Sequence, residues 1–80
     1  MDLTFEEAIE KIKKCRPSND TKLKLYGLYK QSKEGNCNKL KPSLRAGMVE
    51  RAKWDAWNNY RGWSSDDAKK EYVKIVHFCL

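Results

Sequence analysis

Residues 18–35 read SNDTKLKLYGLYKQSKEG. Ser18, Asn19 and Asp20 all carry short side chains that accept a hydrogen bond from the first turn of a helix. Leu23, Leu25, Tyr26, Leu28 and Tyr29 then recur at helical spacing, with lysines at 22, 24, 30 and 33 between and beyond them. Gly35 stands where a helix closes on a left-handed residue. Gly27 interrupts the interior at a cost of up to about 1 kcal/mol relative to alanine, so it marks a close approach by a neighbouring helix.

The same punctuation recurs on both sides. Thr4-Phe5-Glu6-Glu7 forms a capping box ahead of Phe5, Ala8, Ile9 and Ile12, and Pro17 stops that helix at or before Arg16. A third helix is expected from about Met48 to Tyr60, with Met48, Ala52, Trp54, Ala56 and Trp57 as its apolar members and Gly62 at its end. Ser64-Ser65-Asp66-Asp67 caps a last helix carrying Ala68, Tyr72, Val73, Ile75, Val76 and Phe78, which runs nearly to the end of the chain. No strand-like alternation and no internal repeat compete. The fold class is therefore all-α, a four-helix bundle. Asn36–Gly47 is a long irregular connection between helices two and three, which permits a crossover topology.

Eighty residues imply one domain, 1–80. A domain of this size buries only about 60% of its unfolded surface, so a ligand belongs in a groove or partly on the surface rather than in a deep cavity. The net charge is +6, with basic residues spread along the chain, which favours anionic partners such as phosphates, nucleic acid or acidic lipid. Cys15, Cys37 and Cys79 are odd in number and far apart; reduced thiols in a cytoplasmic protein are the expectation. His77 and Cys79 lack further ligands at zinc spacing, so no metal is expected. Met1-Asp2-Leu3-Thr4 leads straight into a helical pattern, with no basic and apolar leader, so no signal peptide is expected, and no apolar run approaches the roughly 20 residues of a bilayer span.

Two segments carry more than a helical pattern: Leu25–Gln31 and Ala52–Asn58. Tyr26 and Lys30 are four apart and share a face, where a phenol and an ammonium can clamp a phosphate. Periodicity alone favours the plainer reading, a snorkelling pair covering the edge of the core. Tyr29 is expected to turn towards the bundle. Trp54 and Trp57 read as core anchors, and Lys53, on another face, can point at a bound anion or simply stand in solvent.

Tyr-x-x-Tyr-Lys-Gln at Tyr26, Tyr29, Lys30 and Gln31, followed by Lys-Trp-Asp-Ala-Trp-Asn at Lys53–Asn58, resembles the signature of the acyl-CoA-binding protein family. Phe5, Ala8, Gly35, Pro42, Ala68 and Tyr72 extend the resemblance over essentially the whole chain. It implies an up-down-down-up bundle that reversibly binds, buffers and transports long-chain acyl-CoA in fatty acid metabolism, with no cofactor and no catalysis. Tyr26, Lys30 and Lys53 would contact the ribose 3′-phosphate, Tyr29 the adenine and acyl region, and Tyr72 the adenosine. Lys13 would approach the phosphate or thioester end, and Ile9 and Leu25 would line the acyl path. The expected partner is long-chain acyl-CoA, bound by a monomer in transient contact with membranes. The Glu34-Gly35-x-Cys37-Asn38 variant is similar to domains found within membrane-attached or peroxisomal proteins. Departures from the family pattern are a Gly35–Lys53 segment longer by about one residue, Met48 in place of an aromatic before the third helix and Ile9 in place of a smaller residue; the loop and Ile9 border the acyl path.

Composition leaves two other classes open. A nucleic-acid binder suits the charge, but acids are interleaved with the bases and no recognition helix stands out, so no nucleic-acid partner is expected. A protein-interaction or tethering domain would keep the fold without the ligand. An enzyme is disfavoured by a single histidine without a nucleophile beside it, and by acid pairs (Glu6 and Glu7, Asp66 and Asp67) sited in first helical turns, where they cap. Trp63 either packs under the turn or anchors a partner.

Overall fold

Helix caps set the elements. The structure, a computed structural model, describes residues 3–79. Met1, Asp2 and Leu80, part of the expected 1–80 domain, lie outside the described residues. Helix α1 spans Phe5–Ile12, and its box is complete: the Glu7 amide donates to the Thr4 hydroxyl at 3.1 Å and the Thr4 amide to the Glu7 carboxylate at 3.0 Å. Helix α2 spans Asn19–Glu34, with the Ser18 hydroxyl accepting from the Thr21 amide. A 3₁₀ turn at Leu44–Ala46 precedes α3, Met48–Asn58, and α4 covers Ser65–Cys79, where the Ser64 hydroxyl accepts from the Asp67 amide at 3.0 Å. The third helix is two residues shorter than expected, because the amides of Tyr60 and Arg61 turn back to carbonyls three residues earlier and tighten the end.

Side-chain contacts give the helix directions. Lys53 lies over Tyr26, Ala56 abuts Gly27, and the Trp57 indole N–H reaches the Gly35 carbonyl, so α2 and α3 rise together. The Ser65 hydroxyl donates to the Ser32 carbonyl, so α4 begins where α2 ends. Phe5 meets Tyr72, and the Cys15 and Cys79 thiols adjoin, so α1 runs with α4. The result is the up-down-down-up bundle. Helices α2 and α4 form the central pair, α1 lies against α4, and α3 lies against α2.

The core is Phe5, Ala8, Leu25, Leu28, Ala68, Tyr72 and Val76, with Ile9 and Ile12 packed at its margin. Leu28 and Val76 are fully buried, which contributes about 1.5–3 kcal/mol for each side chain. Gly27 is where two backbones touch: a Cβ there would lie 2.3 Å from the Ala56 carbonyl oxygen. Gly35 is not the left-handed cap expected: it has φ +80° and ψ −154°, a region open essentially to glycine alone.

Of the two expected core anchors, Trp57 is buried as expected, with its indole N–H on the long loop, and Trp54 is only half-buried. Both use their indole N–H to hold that loop, Trp57 on the Gly35 carbonyl at 2.8 Å and Trp54 on the Lys39 carbonyl at 2.7 Å. Arg51 holds the Pro42 carbonyl at 3.1 Å, so the loop runs back along α3 from its last turn to its first. Buried Gln31 donates to Asn36 Oδ1 and the Trp63 carbonyl, tying the end of α2 to both the loop and the α3–α4 turn. Trp63 packs edge-on against Tyr60 with ring centroids 5.1 Å apart, on the turn.

Candidate functional site

Helices α1 and α2 do not approach one another at the backbone; α4 lies between and beneath them. The space left over α4 is a groove of about 420 Å³. Lys13 and Cys15, just past α1, and Ile12 form one wall; Leu25, Tyr26 and Tyr29 of α2 form the other; Tyr72 of α4 is the floor. Pro17 and Lys22 complete the lining, which contains no carboxylate. Five of the eight residues singled out in the sequence, Lys13, Leu25, Tyr26, Tyr29 and Tyr72, thus meet in one place.

The remaining three take other positions. Lys53 reaches across from α3, its ammonium 5.7 Å from the Tyr26 ring centroid. Lys30 stands one turn beyond Tyr26, its ammonium 4.9 Å from the Trp57 ring centroid and paired with the Glu34 carboxylate. Ile9 packs against the core, while Ile12, one turn later, takes the groove wall. Tyr29 corrects the inward orientation expected of it. It is 39% exposed, on the groove side, because Leu25, Leu28, Gln31 and Ser32 fill the inward face of α2. Phe5 stacks on Tyr29 with centroids 6.2 Å apart and meets Tyr72 edge-on at 5.1 Å, so one buried phenylalanine orients both tyrosines.

Ile12, Cys15, Pro17 and Lys22 line the groove without having been marked as site residues. Lys22 carried a readable signal: Lys22, Tyr26 and Lys30 follow at four-residue intervals and therefore share one face of α2. Cys15 carried none, since its position depends on how the chain leaves α1.

The electrostatics suit an anion with an aromatic part. The hydrogen bond to Glu34 holds Lys30 above the ordinary lysine range, with burial opposing, so it stays cationic throughout the physiological range. Burial pushes the Tyr72 phenol up, with Tyr29 adding to the effect, so Tyr72 remains a neutral donor. Lys53 pairs loosely with Glu50 at 3.8 Å and Lys13 with Glu10 at 3.3 Å, both in exposed settings where such pairs are worth little and release readily. Lysine supplies charge and donors to a phosphate, and tyrosine supplies a directed hydrogen bond and a ring face. Among the described residues no group of His, Cys, Asp and Glu could hold a metal ion, and no helix is long and apolar enough to cross a membrane.

A second cleft of about 550 Å³ lies between α1 and α4, lined by Leu3, Phe5, Asp66, Lys69, Val73 and His77 among others. None of the candidate site residues reaches it, and its volume does not outweigh the convergence of the tyrosines elsewhere.

Comparison with known proteins agrees with this fold. A family model described as "Acyl CoA binding protein" matches residues 2–76. The chain is 51% identical over 75 residues to the acyl-CoA-binding protein of Dictyostelium discoideum, covering 90% of this chain and 87% of that one. It is 43% identical to the acyl-CoA-binding protein of Saccharomyces cerevisiae, covering 90% of this chain and 84% of the relative. Human enoyl-CoA delta isomerase 2 is also 43% identical, but the match spans only 18% of that enzyme. Among solved structures, acyl-CoA-binding protein 2 of Oryza sativa superposes with a TM-score of 0.88 at 39% identity, covering 94% of this chain and 83% of that one. With the family model, the relatives and the fold all matching over nearly its whole length, the chain belongs to the acyl-CoA-binding protein family.

Proposed function

We propose that the protein binds long-chain acyl-CoA reversibly in the α1–α2 groove and carries it as a monomer through the cytoplasm. The carrying observation is the groove itself: Tyr26 and Tyr29 on one wall, Tyr72 as the floor, a lining without carboxylates that includes Lys13 and Lys22, and Lys53 reaching over Tyr26. Tyr26, Lys30 and Lys53 hold the ribose 3′-phosphate, whose double negative charge suits two ammonium groups and a phenol. Tyr29 and Tyr72 contact the adenosine, and Lys13 the phosphate or thioester end. The acyl chain follows Leu25 and the Ile9–Ile12 side of α1, each buried CH₂ adding about 0.8 kcal/mol until the groove ends. The ligand leaves unchanged, and the isomerase chemistry of a longer relative has no counterpart in this reading.

The test is calorimetric titration with palmitoyl-CoA, octanoyl-CoA and free coenzyme A. The expected order of affinity is palmitoyl over octanoyl over the free head group. Lys30→Ala and Lys53→Ala each weaken palmitoyl-CoA binding at least tenfold, about 1.4 kcal/mol, with helicity unchanged by circular dichroism. Full affinity in both variants, or no dependence on chain length, removes the groove as the site.

A further inference from the structure

Cys15 and Cys79 stand far apart in the sequence, yet the fold brings their thiols together. Cys15 follows the last turn of α1, and Cys79 is the last residue of α4. Pro17 marks the place from both sides, since it borders the α1–α2 groove together with Cys15 and a neighbouring cleft together with Cys79. Both cysteines are half-buried, so a small reagent reaches them. Cys37 differs on each count. It is buried, its thiol meets the Lys39 carbonyl at 3.9 Å, and it lies at the opposite end of the bundle, where α2 ends and α4 begins. The fold thus separates one sequestered thiol from an accessible pair.

We infer that Cys15 and Cys79 form a reversible disulfide by exchange with an anionic low-molecular-weight disulfide such as oxidised glutathione. One protein thiolate attacks a sulfur of the reagent and expels its other half as a thiolate. The second protein thiolate then attacks the protein sulfur of that mixed disulfide and expels the remaining half. Two protein S–H bonds are lost and one S–S bond forms, while the reagent is reduced to two small thiols that take up the two protons. Lys13 and Lys22 line the groove beside Cys15 without a carboxylate among them, which favours an anionic reagent. The last turn of a helix opens at little cost, so the two Cβ atoms can take the separation of about 3.8 Å that a disulfide requires. Burial pushes the Cys15 thiol up, and the Cys79 thiol adds to this by hydrogen bonding and charge. Little thiolate is present at neutral pH, so the bond accumulates slowly. Once formed, it ties the segment after α1 to the end of α4 and closes a loop containing most of the chain, which stabilises the fold through the unfolded state. It also decides what stands at the groove wall. A mixed disulfide left on Cys15 puts an anionic tripeptide beside Tyr26, Tyr29 and Tyr72, and attack by Cys79 expels it. That last consequence rests on the groove being the acyl-CoA site; the disulfide does not.

The test is equilibration of the full chain with oxidised glutathione, read by mass spectrometry, thiol counting in denaturant and peptide mapping. The expected product is a monomer lighter by two hydrogen atoms, with Cys37 as its one free thiol and the peptides holding Cys15 and Cys79 joined. Its melting temperature is at least about 5 °C above that of the reduced chain, and a thiol reductant restores both mass and melting point. In Cys79→Ser the reaction stops at a glutathione adduct on Cys15, and palmitoyl-CoA affinity falls at least about tenfold, whereas the disulfide form of the unsubstituted chain binds within about twofold of its reduced form. Three free thiols after equilibration, a disulfide that includes Cys37, or a linked dimer as the main product overturns the inference. So does the same mixture of pairings that the urea-unfolded chain gives, or a disulfide that lowers the melting temperature, since the folded chain would then not be holding the two thiols together. An adduct on Cys15 that leaves palmitoyl-CoA affinity unchanged overturns the role given to Cys79 at the groove. A Cys15–Cys79 disulfide in a chain that binds palmitoyl-CoA in neither redox state upholds the pair and removes only the ligand reading.

Discussion

Helix α2 has two flanks that solve opposite problems. Towards α3 it is closed: Gly27 lets the Ala56 carbonyl come against its backbone, and Trp57 locks the end of the seam onto Gly35. Towards α1 it is open, because side chains rather than backbones span the gap, and Tyr26, Tyr29 and Tyr72 border what remains. The difference is one of side-chain size at the contact. A residue without a Cβ draws two helices into contact, whereas Phe5 against Tyr29 and Tyr72 holds a third helix off and leaves room for a ligand. The closed flank gives the open one its rigidity.

Breaking the seam is the largest perturbation available. In Gly27→Leu the new side chain meets backbone, which cannot rotate away, so α3 must move. Overpacking of this kind costs about 3 kcal/mol, and the helix propensity gained, about 1 kcal/mol, offsets only part of a larger repulsion. Since a domain of this size is stable by about 4–12 kcal/mol, urea unfolding should show a clear fall in midpoint with little change in slope. An unchanged midpoint would mean that the seam is not a tight contact. A milder break is Trp57→Phe, which removes the indole donor and leaves the Gly35 carbonyl unpaired beneath the loop, at about 1–2 kcal/mol. Hydrogen exchange should then quicken across the 36–47 loop before it quickens in α1, and uniform quickening would mean that the two flanks are not separable.

Much of this contrast was legible in the residues and some was not. Caps are local, so Thr4, Ser18 and Ser64 announced three helix starts, and Gly27 announced a close contact because nothing else explains a glycine amid leucines and tyrosines. Tyr26, Lys30 and Lys53 stood out by spacing and by family resemblance. Tyr29 was assigned the wrong orientation because a rotation of about 100° per residue does not say which of two adjacent flanks is filled. Size read Trp57 rightly as core and Trp54 wrongly, and it said nothing of the N–H groups, which meet loop carbonyls whose positions only the folded loop defines. Cys15 reached the groove wall through the way the chain leaves α1, which no helical period sets. Side chains that answer to their own helix were readable; those that answer to a distant carbonyl were not.

On the open flank the wall itself can be weakened. Thr4→Ala removes the hydroxyl that caps α1 and should cost about 1 kcal/mol. The Thr4 backbone and side-chain hydrogen bonds hold the Glu7 carboxyl below its ordinary value. A carboxyl lowered in the folded state stabilises above its unfolded value, about 4.3, and that contribution is lost as pH falls through the folded value. Glu7→Gln should therefore flatten the acid limb of the stability curve while leaving the Thr4 hydroxyl in place. A limb as steep as before would assign the acid sensitivity to other carboxylates.

The smallest expected effect asks whether the groove is built ready for its ligand. Lys30 is paired with Glu34, and in the proposed site a bound phosphate would have to draw it away from that partner. An exposed pair of this kind is worth about 0.2–1 kcal/mol, so Glu34→Gln should release Lys30 and strengthen head-group binding by roughly twofold. It should also bring the Lys30 ammonium down towards its ordinary range, which can be followed by NMR titration of the side chain. A loss of affinity would reverse the reading. Glu34 would then be holding Lys30 over the Trp57 ring, 4.9 Å from its centroid, in the position the phosphate needs, and the open flank would owe its order to the closed one down to a single ion pair.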